Sequence, residues 1–272
     1  MIDALTDPFA GGIAQRALLE VILLGAVCGP LGTWIVLYRQ SYAAESIAHA
    51  ALPALVLASL AGLPLILGAA GGLATAGVAI AMAGRVRGIG SDSATAVVVT
   101  TMFGAGVLLA LRPDAPARLS EILFGDPLGI SAGDLTASAG LALAVALGLV
   151  VLGRRFRLVA FDPQAATALG ASPRRTELAL LALLALTTLV AVQALGNLLV
   201  VALLIAPGAA ALRLASRLPG VLALSVFLAI GAGIAGLYAS HYLETAAGAS
   251  IALAAVGVFV VSLPLGAMRR AS

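Results

Sequence analysis

Apolar runs close to the length of a bilayer crossing recur from residue 17 to residue 268, and they leave no stretch over for a sizeable water-soluble domain. Of the 272 residues, 62% are hydrophobic and 10% charged, with a mean hydropathy of +1.14. Soluble domains run near half apolar and about a quarter charged. The sequence therefore predicts an all-α, polytopic membrane protein forming one domain over residues 1–272.

Spans are expected at about 17–38, 44–62, 64–84, 92–111, 131–152, 176–195, 197–213, 219–239 and 248–268. Nine results from splitting 176–213 at Gly196-Asn197, because one helix of that length would far exceed a hydrocarbon core of about 30 Å. Eight results if the short segment 40–63 does not cross. Pro53 falls in the middle of that segment, so a kink or break is expected there, with carbonyls freed toward the protein interior. Gly71-Gly72 and the GAGIAG of 231–236 suit close approach of helix backbones.

All fifteen basic residues are arginine. Without lysine the chain holds no Walker A loop, so ATP chemistry must come from a partner. With the N-terminus outside, Arg39, Arg85, Arg87, Arg154, Arg155, Arg157, Arg174, Arg175, Arg213, Arg217, Arg269 and Arg270 fall on the cytoplasmic side. Only Arg16, Arg112 and Arg118 fall outside. That asymmetry predicts an N-out, C-in orientation. The arginines are spread singly or in pairs with 4% aromatics, which argues against nucleic acid as a partner. Cys28 is alone in an apolar run and reads as a buried thiol, with no disulfide framework. The first sixteen residues lack the basic start of a cleaved signal peptide, so the first span is expected to serve as insertion signal.

The longest polar interval on the inner side is residues 153–177. Within it Asp162 reads as an N-cap, Pro163 as the first helical residue and Gly170 as the stop, giving a short helix over about 162–170. Its apolar residues Ala165, Ala166 and Leu169 lie between basic clusters, so it suits either lipid headgroups or the grip of another protein.

Polar residues inside spans are few, and Glu45 with His49 is the pair that stands out. Four residues apart on a helix, they share a face with Cβ atoms about 5–6 Å apart. An ionised group at the centre of a span costs roughly 2.5–3.5 kcal/mol and usually marks a pathway. Carboxylate with imidazole suits Zn²⁺ or Mn²⁺. A plainer alternative puts Glu45 at the headgroups and His49 on a carbonyl freed near Pro53. Two ligands also leave a coordination shell of about four half filled. His241 and Glu244, at the outer end of the eighth span, offer a second place where an ion could first dock, or simple interfacial dressing. Gln193 and Asn197 read as an interhelical hydrogen-bonding pair.

AESIAHAALPALVLA resembles the SHAxLPG-type signature of the membrane subunits of ABC importers for zinc and manganese. The block from FDPQAATALG to LLIAPGAAA is similar to that family's second long block, and SHYLETAAGASIAL resembles its SYYLxxPSG stretch. The resemblance implies a multi-pass permease of the bacterial cytoplasmic membrane, not itself an enzyme. Its implied partners are a cytoplasmic ABC ATPase dimer, a second permease subunit, identical or paralogous, and an external metal-binding protein. No cofactor is held permanently; the cargo is Zn²⁺ or Mn²⁺, with Fe²⁺ a further candidate. Glu45 and His49 match the family's acid and histidine on the second span. The 162–170 helix becomes the coupling helix seated on the ATPase, with Asp162, Pro163, Ala166, Leu169, Gly170, Arg174 and Arg175 at that contact.

The chain departs from the family pattern in three places. Glu45 stands where many relatives carry Asp, Ala54 replaces a glycine after Pro53, and Ala246-Ala247 replaces a Pro-Ser. Two other readings compete: a permease of the vitamin B12 or siderophore class, and an intramembrane hydrolase using Ser250 and His241. The hydrolase is disfavoured because GASI lacks the glycine after serine that a GxSG turn needs.

Overall fold

The computed structural model describes residues 11–83, 86, 91–112, 129, 131–195 and 200–271. Every regular element among them is a helix. In chain order these are α1 (Gly12–Leu37), α2 (Ser41–Ala50), α3 (Leu52–Leu60), α4 (Leu65–Ala83), α5 (Ser91–Ala110), α6 (Ala132–Phe161), α7 (Pro163–Ala168), α8 (Pro173–Leu195), α9 (Val200–Leu214), α10 (Leu218–Leu243) and α11 (Ala247–Ala271). Five stretches are long and apolar enough to cross a membrane by length and composition: Gly12–Leu37, Ser93–Ala110, Ala132–Phe161, Leu218–Leu243 and Ala247–Met268. The chain is an all-helical polytopic membrane protein, as its hydropathy requires.

Glycines let α1 sit in the middle of the bundle. A Cβ at Gly25 would lie 2.8 Å from the Ile230 side chain, and one at Gly32 would overlap the carbonyl oxygen of Leu204. The backbones of α1, α9 and α10 therefore touch almost directly, which is how helices associate where lipid supplies no hydrophobic drive. In GAGIAG, Gly233 meets Val21 and Gly236 meets Ile251, whereas Gly231 faces open space. Gly72 backs onto Ala51 while Gly71 does not touch anything. One of the two glycines at 71–72 and two of the three in GAGIAG are thus contacts.

The helices sort into two packing groups. α1 packs on α6, α8, α9 and α10, and α11 closes against α9 and α10. The stretch from α2 to α5 packs mainly within itself and meets the first group chiefly through α8 and α9. The second expected span is two short helices, α2 and α3, broken at Ala51 with Pro53 in the first turn of α3. A proline at 53 has no N–H for the carbonyl of His49, so the helical ladder ends there.

One boundary differs from the sequence expectation. The helix of the fifth span does not end at 152: α6 runs 30 residues to Phe161, so Arg154, Arg155 and Arg157 sit on helix rather than in a loop. The cause is tertiary. Phe156 is fully buried, with Trp34 at 5.6 Å and Tyr38 edge-on at 6.2 Å, and the Tyr38 hydroxyl donates to the Phe156 carbonyl at 3.0 Å. The expected split of 176–213 falls between the described end of α8 at Leu195 and the described start of α9 at Val200. Gly196 and Asn197, and the side chain of Gln193, lie outside the described residues.

Candidate metal pathway and coupling surface

Glu45 and His49 lie on α2, and the helical spacing that predicted a shared face holds. His49 Nε2 is 3.7 Å from Glu45 Oε1. The Glu45 side chain is 55% exposed and that of His49 20%. The imidazole is clasped edge-on by Phe103 of α5, with ring centroids 5.2 Å apart. His49 Nδ1 is buried and has no hydrogen-bond partner, so that nitrogen does not engage a carbonyl freed by Pro53. A cation held at about 2.1 Å from each atom fits the gap, since two such bonds together exceed 3.7 Å. Among the described residues no third acid, imidazole or thiol joins the pair.

His241 and Glu244 are not brought together in this way. His241 is exposed at the end of α10 with its ring edge-on to Tyr242 at 5.2 Å. Glu244 caps α10 in the left-handed region at φ 52°. Ser250 hydrogen-bonds Thr245 at 2.7 Å and the Ala246 carbonyl at 3.2 Å. Its hydroxyl is thus absorbed by the turn between α10 and α11, and the hydrolase reading has no nucleophile and base in contact.

The short helix forms where its caps predict. Asp162 Oδ1 accepts the Ala165 amide at 2.9 Å, Pro163 opens α7, and Gly170 at φ 78° ends the turn with the Ala171 amide donating back to the Ala166 carbonyl at 2.8 Å. Its faces are not equivalent. Ala166 is buried beside Val159 and Ala171, so it anchors the helix inward and cannot be a contact residue as the sequence suggested. Leu169 and Phe161 are the large apolar side chains left exposed at its two ends.

Two residues were not singled out from the sequence. Phe103 carried no local signal, because an aromatic in an apolar span announces nothing about which ring it will touch. Glu20 did carry one, a lone acid in the first span. It is 1% exposed, and neither carboxylate oxygen has a hydrogen bond of ordinary geometry although Ser138 of α6 faces it.

Residues 12–266 match the ABC 3 transport family. The chain belongs to that family. It is 36% identical over 250 residues to the manganese transport system membrane protein MntC of Halalkalibacterium halodurans, covering 91% of this chain and 85% of that one. It is 33% identical over 263 residues to the chelated iron transport system membrane protein YfeD of Yersinia pestis, covering 97% and 89%. Among solved structures it superposes on PsaBC from Streptococcus pneumoniae, described in complex with Fab, with a TM-score of 0.87 and 29% identity over 96% of this chain and 95% of that chain. The protein is thus the membrane permease of an ABC transport system, a multi-pass bacterial membrane protein that works with an ATPase and is not itself an enzyme.

Proposed function

We propose that this permease imports Mn²⁺ or Fe²⁺, with Zn²⁺ as the alternative cargo, and that Glu45 and His49 handle the ion on its way through. The observation that carries the reading is the 3.7 Å approach of a carboxylate and an imidazole on one face of α2, directly before a helix break. Relatives that align over nine tenths or more of this chain, named as manganese and chelated iron transport proteins, support the choice of cargo. The more-than-half-exposed Glu45 suits a site completed by a second permease subunit, identical or paralogous, which would bring the ligands to four. An ion held by few ligands is released readily, as conduction requires. Selectivity then falls to an external metal-binding protein. The arginine distribution supports N-out, C-in, which places α7 on the cytoplasmic side, where Leu169 and the arginines of 174–175 would meet the ATPase.

The test is uptake of labelled Mn²⁺ and Fe²⁺, free and chelated, into liposomes carrying the permease with its ATPase and external protein. Glu45→Gln and His49→Ala are expected to cut uptake of the free ion at least tenfold while insertion and association with the ATPase persist. Normal uptake in both variants would remove these residues from the pathway, and a preference for the chelate would move the protein to the metal-chelate class.

A further inference from the structure

Glu20 lies about 12 Å along α1 from its first residue, and the metal pathway makes no use of it. It is 1% exposed, and neither carboxylate oxygen has a hydrogen-bond partner. Ser138 of α6, itself buried, faces it. One turn nearer the start of α6, Asp134 is exposed and caps that helix with Ser131. Arg16 precedes Glu20 by one turn of α1, yet no ion pair within 4.0 Å joins them, and Arg16 Nε is buried without a partner. Among the described residues, the other charges on helices packed against α1 lie elsewhere. α8 brings Arg174, Arg175 and Glu177 to the opposite end of the bundle, where Arg175 shares a pocket with Arg155 of α6. On α9, Arg213 comes nine residues after Leu204, which packs on Gly32. On α10, Gly233 meets Val21, so His241 stands about two turns beyond the site, exposed. α2 starts from the far end of α1 and holds Glu45 and His49.

We propose that Glu20 is a proton-exchange site of the permease: it carries a proton while α1 and α6 are packed as here, and releases it past Ser138 and Asp134 when the two helices separate during transport. An unpaired carboxylate in an apolar interior costs far more than the neutral acid, whose O–H can be given to the Ser138 hydroxyl. Acids placed inside a membrane bundle in this way serve as proton relays. When α6 withdraws, the ionised form regains water and finds a partner one turn away in Arg16. One proton per permease leaves Glu20 for water at the exposed Asp134 end, and Arg16 offsets the charge left behind. A metal ion is the poorer occupant, since among the described residues no third acid, imidazole or thiol completes a site. α6 also carries α7, so a displacement of α7 reaches this contact. That link to the transport cycle rests on the proposed function, and the N-out orientation makes the external side the one that receives the proton.

The experiment uses the importer assembled with its ATPase and external protein in lipid, without added metal, so the result does not depend on Glu45 and His49. Infrared difference spectra are recorded at neutral pH in the resting state and after trapping with ATP and vanadate. Wild type should show a neutral-carboxyl C=O band that Glu20→Gln lacks, and trapping should convert at least half of that band into carboxylate signal. Glu20→Asp should keep the band at a shifted position, and it serves if the glutamine variant does not assemble. Ser138→Ala should slow exchange of the carboxyl proton with D2O at least threefold, read as a slower downshift of the band. Identical resting spectra for wild type and Glu20→Gln would show Glu20 already ionised and overturn the proposal. So would a band that survives trapping unchanged, the mark of a fixed buried acid, or exchange in Ser138→Ala at the wild-type rate.

Discussion

At the scale of single residues, the ring of His49 is held by packing rather than by hydrogen bonding. A neutral imidazole offers one donor and one acceptor, and leaving a buried one unpaired costs about 1–3 kcal/mol. Nδ1 bears that cost here, and the orientation it would otherwise set is supplied by Phe103. Edge-to-face pairs contribute about 0.5–1.5 kcal/mol beyond area burial. Phe103→Ala is therefore expected to raise the apparent KM for Mn²⁺ by about two- to tenfold on that basis, with little change in folding, and Phe103→Tyr to restore it. An unaltered KM in the alanine variant would show that the ring is fixed by something else. A second expectation concerns backbone strain. Arg39 ends α1 at φ 58°, with the Gln40 amide donating to the Ile35 carbonyl at 2.9 Å, in a position that favours glycine. Arg39→Gly should raise thermal stability by up to about 1 kcal/mol, read as a higher unfolding midpoint in detergent. A lower midpoint would mean that the arginine side chain contributes more than its backbone costs.

At the scale of helices, glycine contacts decide what can change. Gly32→Ala places a methyl group on the Leu204 carbonyl of a neighbouring backbone, which cannot yield as a side chain can. A loss of about 3 kcal/mol or more, with little folded protein recovered, is expected. Gly71→Ala, with open space around it, should leave the unfolding midpoint unchanged. The sequence showed both glycines equally well but not which of them faces a partner, since that depends on helix rotation. The same contrast separates α2 from α6. The break before Pro53 was legible because a missing N–H acts within one helical turn. The continuation of α6 to Phe161 was not, because three arginines in four residues look like a loop until Phe156 is seen inserted between Trp34 and Tyr38. In outline the inward-facing positions Phe156 and Val159, three apart, were a helical signal within that polar stretch.

At the scale of the whole molecule, the all-helical, multi-pass architecture could be read from hydropathy because apolar runs of bilayer length follow one another along the sequence. The Glu45–His49 pair was readable because both residues lie on one short helix. Its incompleteness was equally plain, and on the proposed reading a second permease subunit would supply the missing ligands. Orientation makes a direct prediction: a reporter fused after the C-terminus should be active in the cytoplasm and one at the N-terminus outside, and the reverse pattern would turn the scheme over. The length of α6 has a mechanical consequence. At 1.5 Å per residue its 30 residues extend about 45 Å, so roughly 15 Å projects past a hydrocarbon core of about 30 Å. α7 hangs from that projecting tip, and the aromatic clamp around Phe156 sits just below it. A push delivered at the tip is thus passed sideways into α1, the axle of the larger packing group, instead of being dissipated as a wobble at the lipid edge.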